Sequence, residues 1–377
     1  MKRISPFVII LVVLVASPLL SSYKVPSTAQ KPKIQVAILL DVSNSMDGLI
    51  EQAKAQLWNM VTVLGKVKCH NYNEPPAVEI ALYEYGRSSN DRLKGYVKQI
   101  SPFTSDLDEL SKQLFGLTTL GGDEYCGQVI HTSLDELAWD STPGNYRVIF
   151  IAGNEDFLQG GVHYTKACAE AKRKGVIVNT IYCGPRDQGI REHWNLSSEC
   201  GNGSFTNINS DARIEEPPTP FDSTLLVLNT RLNETYIPYG DRGSERHLQQ
   251  SEVDNLNLKA NPSAALGRVS VKGKASLYNN SAWDLVDAAK ADSSILRKVD
   301  TKTLPKDLQK MSSTQLAEFV KSKAAERARV QQEIELVSNS RQSWLVEAKK
   351  NRVEPTLETE IEKVLREQAK RFRMIIE

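Results

Sequence analysis

Asp41, Ser43 and Ser45 place one anionic oxygen and two neutral hydroxyls at alternate positions of a single short stretch, Asp41-Val42-Ser43-Asn44-Ser45. Hard oxygen donors that leave room for water suit Mg²⁺, which keeps several waters and takes only one or two carboxylates. The same residue types also suit a helix cap and a turn. What surrounds them bears on the choice. Ile34 to Leu40 is an almost unbroken apolar run, the pattern of a strand buried on both faces, and a helical pattern begins at about Leu49. The three oxygens therefore fall at the carboxyl end of a buried strand, the crevice where open α/β sheets bind ligands.

The elements that must hold this crevice alternate. Leu49 to Lys66 reads as a helix, Val78 to Tyr85 as a strand, and Tyr96 to Ile100 as a short strand in an antiparallel edge hairpin with it. A helix capped by Ser105 runs to Phe115. After Gly121-Gly122-Asp123-Glu124 another runs to Trp139. Val148 to Ala152 and Val176 to Tyr182 are buried strands separated by a helix from His163 to Lys174 that Gly175 closes. A polar helical stretch at Ile190 to Glu199 precedes a last strand, Ser204 to Ile208. The predicted fold class is α/β: a doubly wound, mostly parallel sheet.

Beyond this the composition changes. Residues 211–222 read as a linker, stiffened by Pro217, Pro218 and Pro220, and 223–377 as an all-α region. Leu225 to Tyr236 marks one helix and Leu277 to Ala291 another. Asp241 to Gln250 is polar and reads as irregular. A long helix runs from Ser312 or Ser313 to Lys350, and Thr356 to Met374 is a last amphipathic, charge-rich one. These helices suit a bundle packed on the first domain or on itself. A coiled coil with a partner chain is the alternative, although the apolar spacing is not a sustained heptad.

A strand, DxSxS and a helix in that order resemble the opening of the von Willebrand factor A (VWA) domain and its metal-ion-dependent adhesion site. The likeness spans about 33–210, and the order of strands with one early hairpin is also that of the family. It implies that Asp41, Ser43 and Ser45 are metal ligands. The family completes its site with a Thr from a second loop and an Asp at the end of the fourth strand. Here the residue after Gly121-Gly122 is Asp123, which the resemblance puts in the place of that Thr, with Thr118 and Thr119 earlier in the loop. Ala152 stands where the strand-end Asp is expected, followed by Gly153-Asn154-Glu155. The expected ligands are thus Asp41, Ser43, Ser45 and Asp123, with Thr118, Thr119, Asn154 and Glu155 around them. Asp41 and Asp123 would neutralise a divalent cation, Mg²⁺ or else Ca²⁺ or Mn²⁺.

The 377 residues carry a net charge of +1, which gives no general case for nucleic-acid binding. Lys2 and Arg3 ahead of the apolar run Phe7 to Leu20 have the form of a secretory signal, so 1–29 is expected to be a signal peptide or, if uncleaved, an anchor and the chain's one membrane contact. Five cysteines in an exported chain leave at least one unpaired. Cys183 and Cys200 could meet in a disulfide, and buried thiols are the other reading. The resemblance is to exported bacterial proteins, periplasmic or on the cell surface. It implies a metal-dependent protein-binding module whose partner supplies an Asp or Glu to the metal. One alternative is a structural envelope protein whose helical half binds the partner. The other is a metal-assisted hydrolase, for which no nucleophile elbow, HExxH or phosphate loop is present.

Overall fold

A computed structural model describes residues 32–69, 75–208, 217–349 and 357–376. The segment read as a secretory signal, and the first half of the linker, lie outside them. The described chain from Pro32 onward is one compact unit.

The sheet carries strands β1 (Lys33–Asp41), β3 (Ala77–Tyr85), β4 (Lys98–Thr104), β5 (Tyr146–Gly153), β6 (Ile177–Cys183) and β7 (Phe205–Ile208). A short strand β2 (Val67–Cys69) lies apart from it. The order is β4-β3-β1-β5-β6-β7, with every pairing parallel except β3 to β4 at one edge. The predicted doubly wound sheet with its early hairpin is therefore present.

β1 is central because both its faces are covered. Ile34, Val36, Ile38 and Leu40 point to one core, and Ala37 and Leu39 to the other. The first core takes helices α1 (Ile50–Leu64) and α2 (Leu107–Gly116). The second takes α3 (Cys126–Glu136) and α4 (Tyr164–Lys174), along with Trp194 from the pair α5 (Arg186–Arg191) and α6 (Trp194–Cys200). Gly175 ends α4 in the left-handed conformation, as its sequence position predicted.

The helical region comprises α7 (Asp222–Asn233), α8 (Gly243–Ala260), α9 (Pro262–Lys272), α10 (Leu285–Ala291), α11 (Ile295–Lys298), α12 (Ser313–Lys349) and α13 (Leu357–Arg371). Much of it lies on the α1–α2 face and shares that core: Leu225, Leu232, Leu266, Val269, Ile334, Ile361 and Leu365 belong to the same cluster as Ile34 and Leu57. A separate cluster joins α10 to the start of α12. A final strand β8 (Met374–Ile376) pairs antiparallel with β2, a pairing the sequence pattern did not announce.

Two elements differ from expectation for one reason, polar residues that act as core. Asp241 to Gln250, read as irregular, forms much of α8. Its buried face carries Gln249, Gln250 and Asn257, which bond across to other elements: Asn257 Nδ2 donates to Ser111 Oγ at 2.9 Å and Gln249 Nε2 to Glu109 Oε2 at 2.6 Å. No apolar period marks such a helix. Leu277 to Ala291, read as one helix, becomes helical only at Leu285, where buried Asp284 caps α10 by accepting from Asp287 N.

The cysteine pairing is also corrected. Cys168 of α4, not Cys183, bonds Cys200 at the end of α6, with Cα atoms 5.5 Å apart. Cys183 is buried at the end of β6, inside the first core.

Candidate metal centre

The end of β1 puts Asp41 at the bottom of a crevice. Parallel pairing on both sides, with β3 and with β5, leaves Asp41 completely buried. The chain then turns sharply. Ser43 N donates to Asp41 Oδ1 at 2.8 Å, the Ser43 and Ser45 hydroxyls lie 2.7 Å apart, and Ser45 Oγ donates to Asn154 Oδ1 at 2.8 Å. Asn154 Nδ2 in turn donates to Ser45 O at 2.8 Å. The structure therefore brings Asp41, Ser43, Ser45 and Asn154 together, and the DxSxS stretch is locked to the loop after β5.

The second loop is held by backbone. Leu120 N donates to Val42 O at 2.8 Å and Ser88 N to Gly121 O at 2.7 Å. A Cβ on Gly122 would meet the Gly86 carbonyl at 2.6 Å, so the backbones approach too closely for any other residue. From this fixed point successive side chains face opposite ways. Asp123 is exposed and accepts from Tyr125 Oη at 3.0 Å, while Glu124 is buried. Asp123 is thus not brought to Asp41, and Glu124 is. The register counted from the two glycines was one residue short.

Gly86 makes this approach possible. Its φ is +81°, and a Cβ there would lie 2.8 Å from Asp41 Oδ1, 3.1 Å from Glu124 Cγ and 3.4 Å from Ser43 Cβ. Three side chains of the candidate site surround that one position, whose only substituent is hydrogen.

The electrostatics follow from crowding. Asp41 is pushed up to about 7, first by burial and then by the Glu155 carboxylate. Hydrogen bonds from the Ser43 backbone and hydroxyl and from the Asn154 backbone pull the other way. Glu124 is also raised to about 7, by burial, by Asp41 and by Glu155, against a hydrogen bond from the Ser43 hydroxyl. Asp41 Oδ2 is buried and makes no hydrogen bond, an expensive state for a carboxylate oxygen.

Of the other expected residues, Thr119 bonds Asp47 through its hydroxyl, and Thr118 is exposed, with its carbonyl accepting from Arg87. Glu155 acts on Asp41 and Glu124 through charge, while its carbonyl accepts from Trp194 Nε1 at 2.7 Å. His163 caps α4. Among the described residues no three His, Cys, Asp or Glu side chains stand close enough to hold a metal by themselves. Here the set is two carboxylates completed by the Ser43 and Ser45 hydroxyls. An unsatisfied anionic oxygen, two adjacent hydroxyls and a second carboxylate fit a hard divalent cation.

No family model and no curated protein matches this chain. Many solved structures are similar to it, among them the following three. BatB from Bacteroides thetaiotaomicron is 16% identical, covering 47% of this chain and 90% of that one, with a TM-score of 0.35. The SpRpn10 VWA domain is 14% identical over 48% of this chain and 90% of that one, with a TM-score of 0.36. Proximal thread matrix protein 1 from the mussel byssus, solved with a zinc-occupied MIDAS motif, is 14% identical over 48% of this chain and 43% of that one, with a TM-score of 0.35. The chain's own strands decide the assignment: five parallel strands with one antiparallel edge, and DxSxS leaving the central strand. In fold, the first half of this chain is von Willebrand A-like.

Proposed function

We propose that the chain is a protein-binding module that uses a divalent cation, Mg²⁺ or else Ca²⁺ or Mn²⁺, held by Asp41, Ser43, Ser45 and Glu124. Asn154 positions Ser45 and Glu155 adds negative charge nearby. The observation that supports this most is the buried, unpartnered Asp41 Oδ2 beside the Ser43 and Ser45 hydroxyls. A cation would satisfy that oxygen and relieve the repulsion that raises Asp41 and Glu124.

Bound there, the cation would supply a Lewis-acidic position for a carboxylate oxygen. The chain's residues do the rest. Asp41 and Glu124 cancel the charge of the ion, so a partner's Asp or Glu meets a neutral site rather than a repulsive one. Ser45, fixed by Asn154, keeps the hydroxyl pair oriented. The reading includes export to the periplasm or cell surface, on the strength of Lys2, Arg3 and the run Phe7 to Leu20. It makes the helical region 223–377 a support for the domain or a second contact surface. Calorimetric titration of Mg²⁺ and Ca²⁺ into wild type, Asp41→Asn, Glu124→Gln and Asp123→Ala tests it. Saturable binding lost in the first two variants and kept in the third is the expected result. No heat of binding from any of these ions in wild type would refute it.

A further inference from the structure

The opposite end of the same sheet carries a cavity of about 570 Å³ that the metal centre does not use. Trp139, Ser141, Arg147, Lys172, Arg173 and Lys174 line it. Arg147 is the second residue of β5, and Gly175 closes α4 just ahead of β6. These strands run parallel to β1, so the cavity sits at the amino ends while Asp41 sits at a carboxyl end.

The charge here is one-sided. Four cationic side chains meet two neighbouring carboxylates, of which Glu170 lies 3.3 Å from Arg173 Nη2 and 3.6 Å from Lys174 Nζ. Asp140 is the other acid near Arg147, and it also faces Lys33 at 3.7 Å. Arg173 is largely exposed, and Lys174 also donates to the Leu134 carbonyl, so neither singles out a ligand. Arg147 does. It is half-buried, and its Nε is shut off from solvent with no hydrogen-bond partner. Burial lowers its affinity for a proton, with Asp140 opposing. Its Nη2 lies where a Cβ on residue 175 would come within 3.0 Å, so Gly175, at φ +62°, keeps the guanidinium open to the cavity. A guanidinium desolvated this far and left short of acceptors is costly unless an anion completes it. Trp139 is held beside it, its Nε1 bonded to Ser133 O at 3.0 Å and its ring edge-on to Phe103.

We propose that this cavity binds an oxyanion monoester, a phosphate or sulfate group on a ring or other flat apolar body. Arg147 and Lys172 take the anionic oxygens, and Trp139 packs against the apolar part. The geometric basis is a guanidinium beside Lys172 in the lining of an open pocket of ligand size, with an aromatic side chain in the same lining. The site is independent of any cation at Asp41.

Calorimetry of the full chain at low salt, with inorganic phosphate, inorganic sulfate and phenyl phosphate as probes, tests it. Phenyl phosphate is expected to bind with 1:1 stoichiometry and more tightly than either inorganic ion. Arg147→Gln should weaken it about tenfold or more and Lys172→Gln a few-fold, as charge-assisted contacts of this kind do. Lys321→Gln, which removes an exposed charge on α12, should leave it unchanged. Lys172 is exposed, so its variant keeps the test valid should Arg147→Gln fail to fold. Equal loss in Lys321→Gln and Lys172→Gln would mean diffuse attraction to net charge and would overturn the site. So would the absence of binding, or equal affinity for phenyl phosphate and the inorganic ions.

Discussion

The Asp41 carboxyl and the Glu124 side chain both close on Gly86, whose missing side chain leaves room for them: a Cβ there would lie 2.8 Å from Asp41 Oδ1 and 3.1 Å from Glu124 Cγ. Gly86→Ala is therefore expected to damage the site twice, by steric conflict with the Asp41 carboxyl and crowding of the Glu124 side chain, and by strain at φ +81°. Cation affinity should fall about tenfold or more, while a conservative change at the exposed Asp123 leaves it within about twofold. Calorimetry on the two variants makes the comparison.

Burial, with Glu155 acting on both and Asp41 acting on Glu124, raises Asp41 and Glu124 to about 7, so a cation must displace protons from a site that is partly protonated at neutrality. Cation binding is expected to be strong at pH 8 and to weaken as pH falls through 7, up to about a hundredfold per unit if both protons are displaced. Titration calorimetry in buffers of different ionisation enthalpy reads the protons released directly. Release of none at pH 6.5 would count against Asp41 and Glu124 as ligands.

The ion-free protein has the opposite preference. A carboxyl whose folded value is raised stabilises the fold only while it is protonated. For Asp41 that contribution is complete below its ordinary value of 3.8 and is lost as pH rises to about 7. At full burial the loss is about 4 kcal/mol as an upper bound. Asp41→Asn, which cannot ionise, should be more stable than ion-free wild type at pH 8 and no more stable at pH 4. Urea unfolding in chelator at the two pH values shows the crossover. Added Mg²⁺ should restore wild type at pH 8 and do nothing for the variant.

How much of this was legible in the sequence depended on what carried each signal. The sheet and Asp41 were, because β1 is apolar on both faces and ends abruptly in oxygen donors. Asn154 at Ser45 was placed near the site from the loop's position alone. Glu124 was missed because its register depends on backbone contacts between Gly122 and Gly86, far apart in sequence, and counting residues after a glycine pair does not measure them. One local hint existed: Glu124 lies two residues ahead of Cys126, which opens the buried face of α3. α8 was missed because Gln249, Gln250 and Asn257 bury polar groups, so the hydrophobic period that marks a helix is absent.

The disulfide closes a separation of 32 residues between α4 and α6. Its removal by Cys168→Ser is expected to lower stability by about 3 kcal/mol, as loops of this length typically do. Cys183→Ser should leave the bond intact. Thiol counting under denaturing, non-reducing conditions distinguishes the two: a disulfide lost in Cys183→Ser would contradict the Cys168–Cys200 pairing.

A buried ion network ties the A-like domain to the helices beyond it. Arg268 of α9 donates through Nη2 to Asp108 of α2 at 2.6 Å and through Nε to Asp254 of α8 at 2.7 Å, and Lys272 Nζ reaches Asp254 at 2.8 Å. Burial alone would raise Asp254, but Lys272 and Arg268 overcome it and hold the carboxyl well below its usual range. Arg268→Met removes the cation that Asp108 and Asp254 share; Lys272 still holds Asp254, but the buried Asp108 loses its ion-pair partner. The change should cost about 3–5 kcal/mol. Arg268→Met with Asp108→Asn should recover part of that, because the stranded charge goes with it. The network and the common core together make the two halves a single cooperative unit, so wild type is expected to unfold in urea in one transition by both fluorescence and circular dichroism. Deleting the chain after residue 222 would uncover the α1 face that packs on Leu266 and Val269, so the fragment should aggregate instead of reporting on partner binding. Two separated transitions in wild type, or a soluble and cooperatively folded fragment, would show that the halves are energetically independent despite the buried Asp108–Arg268 pair.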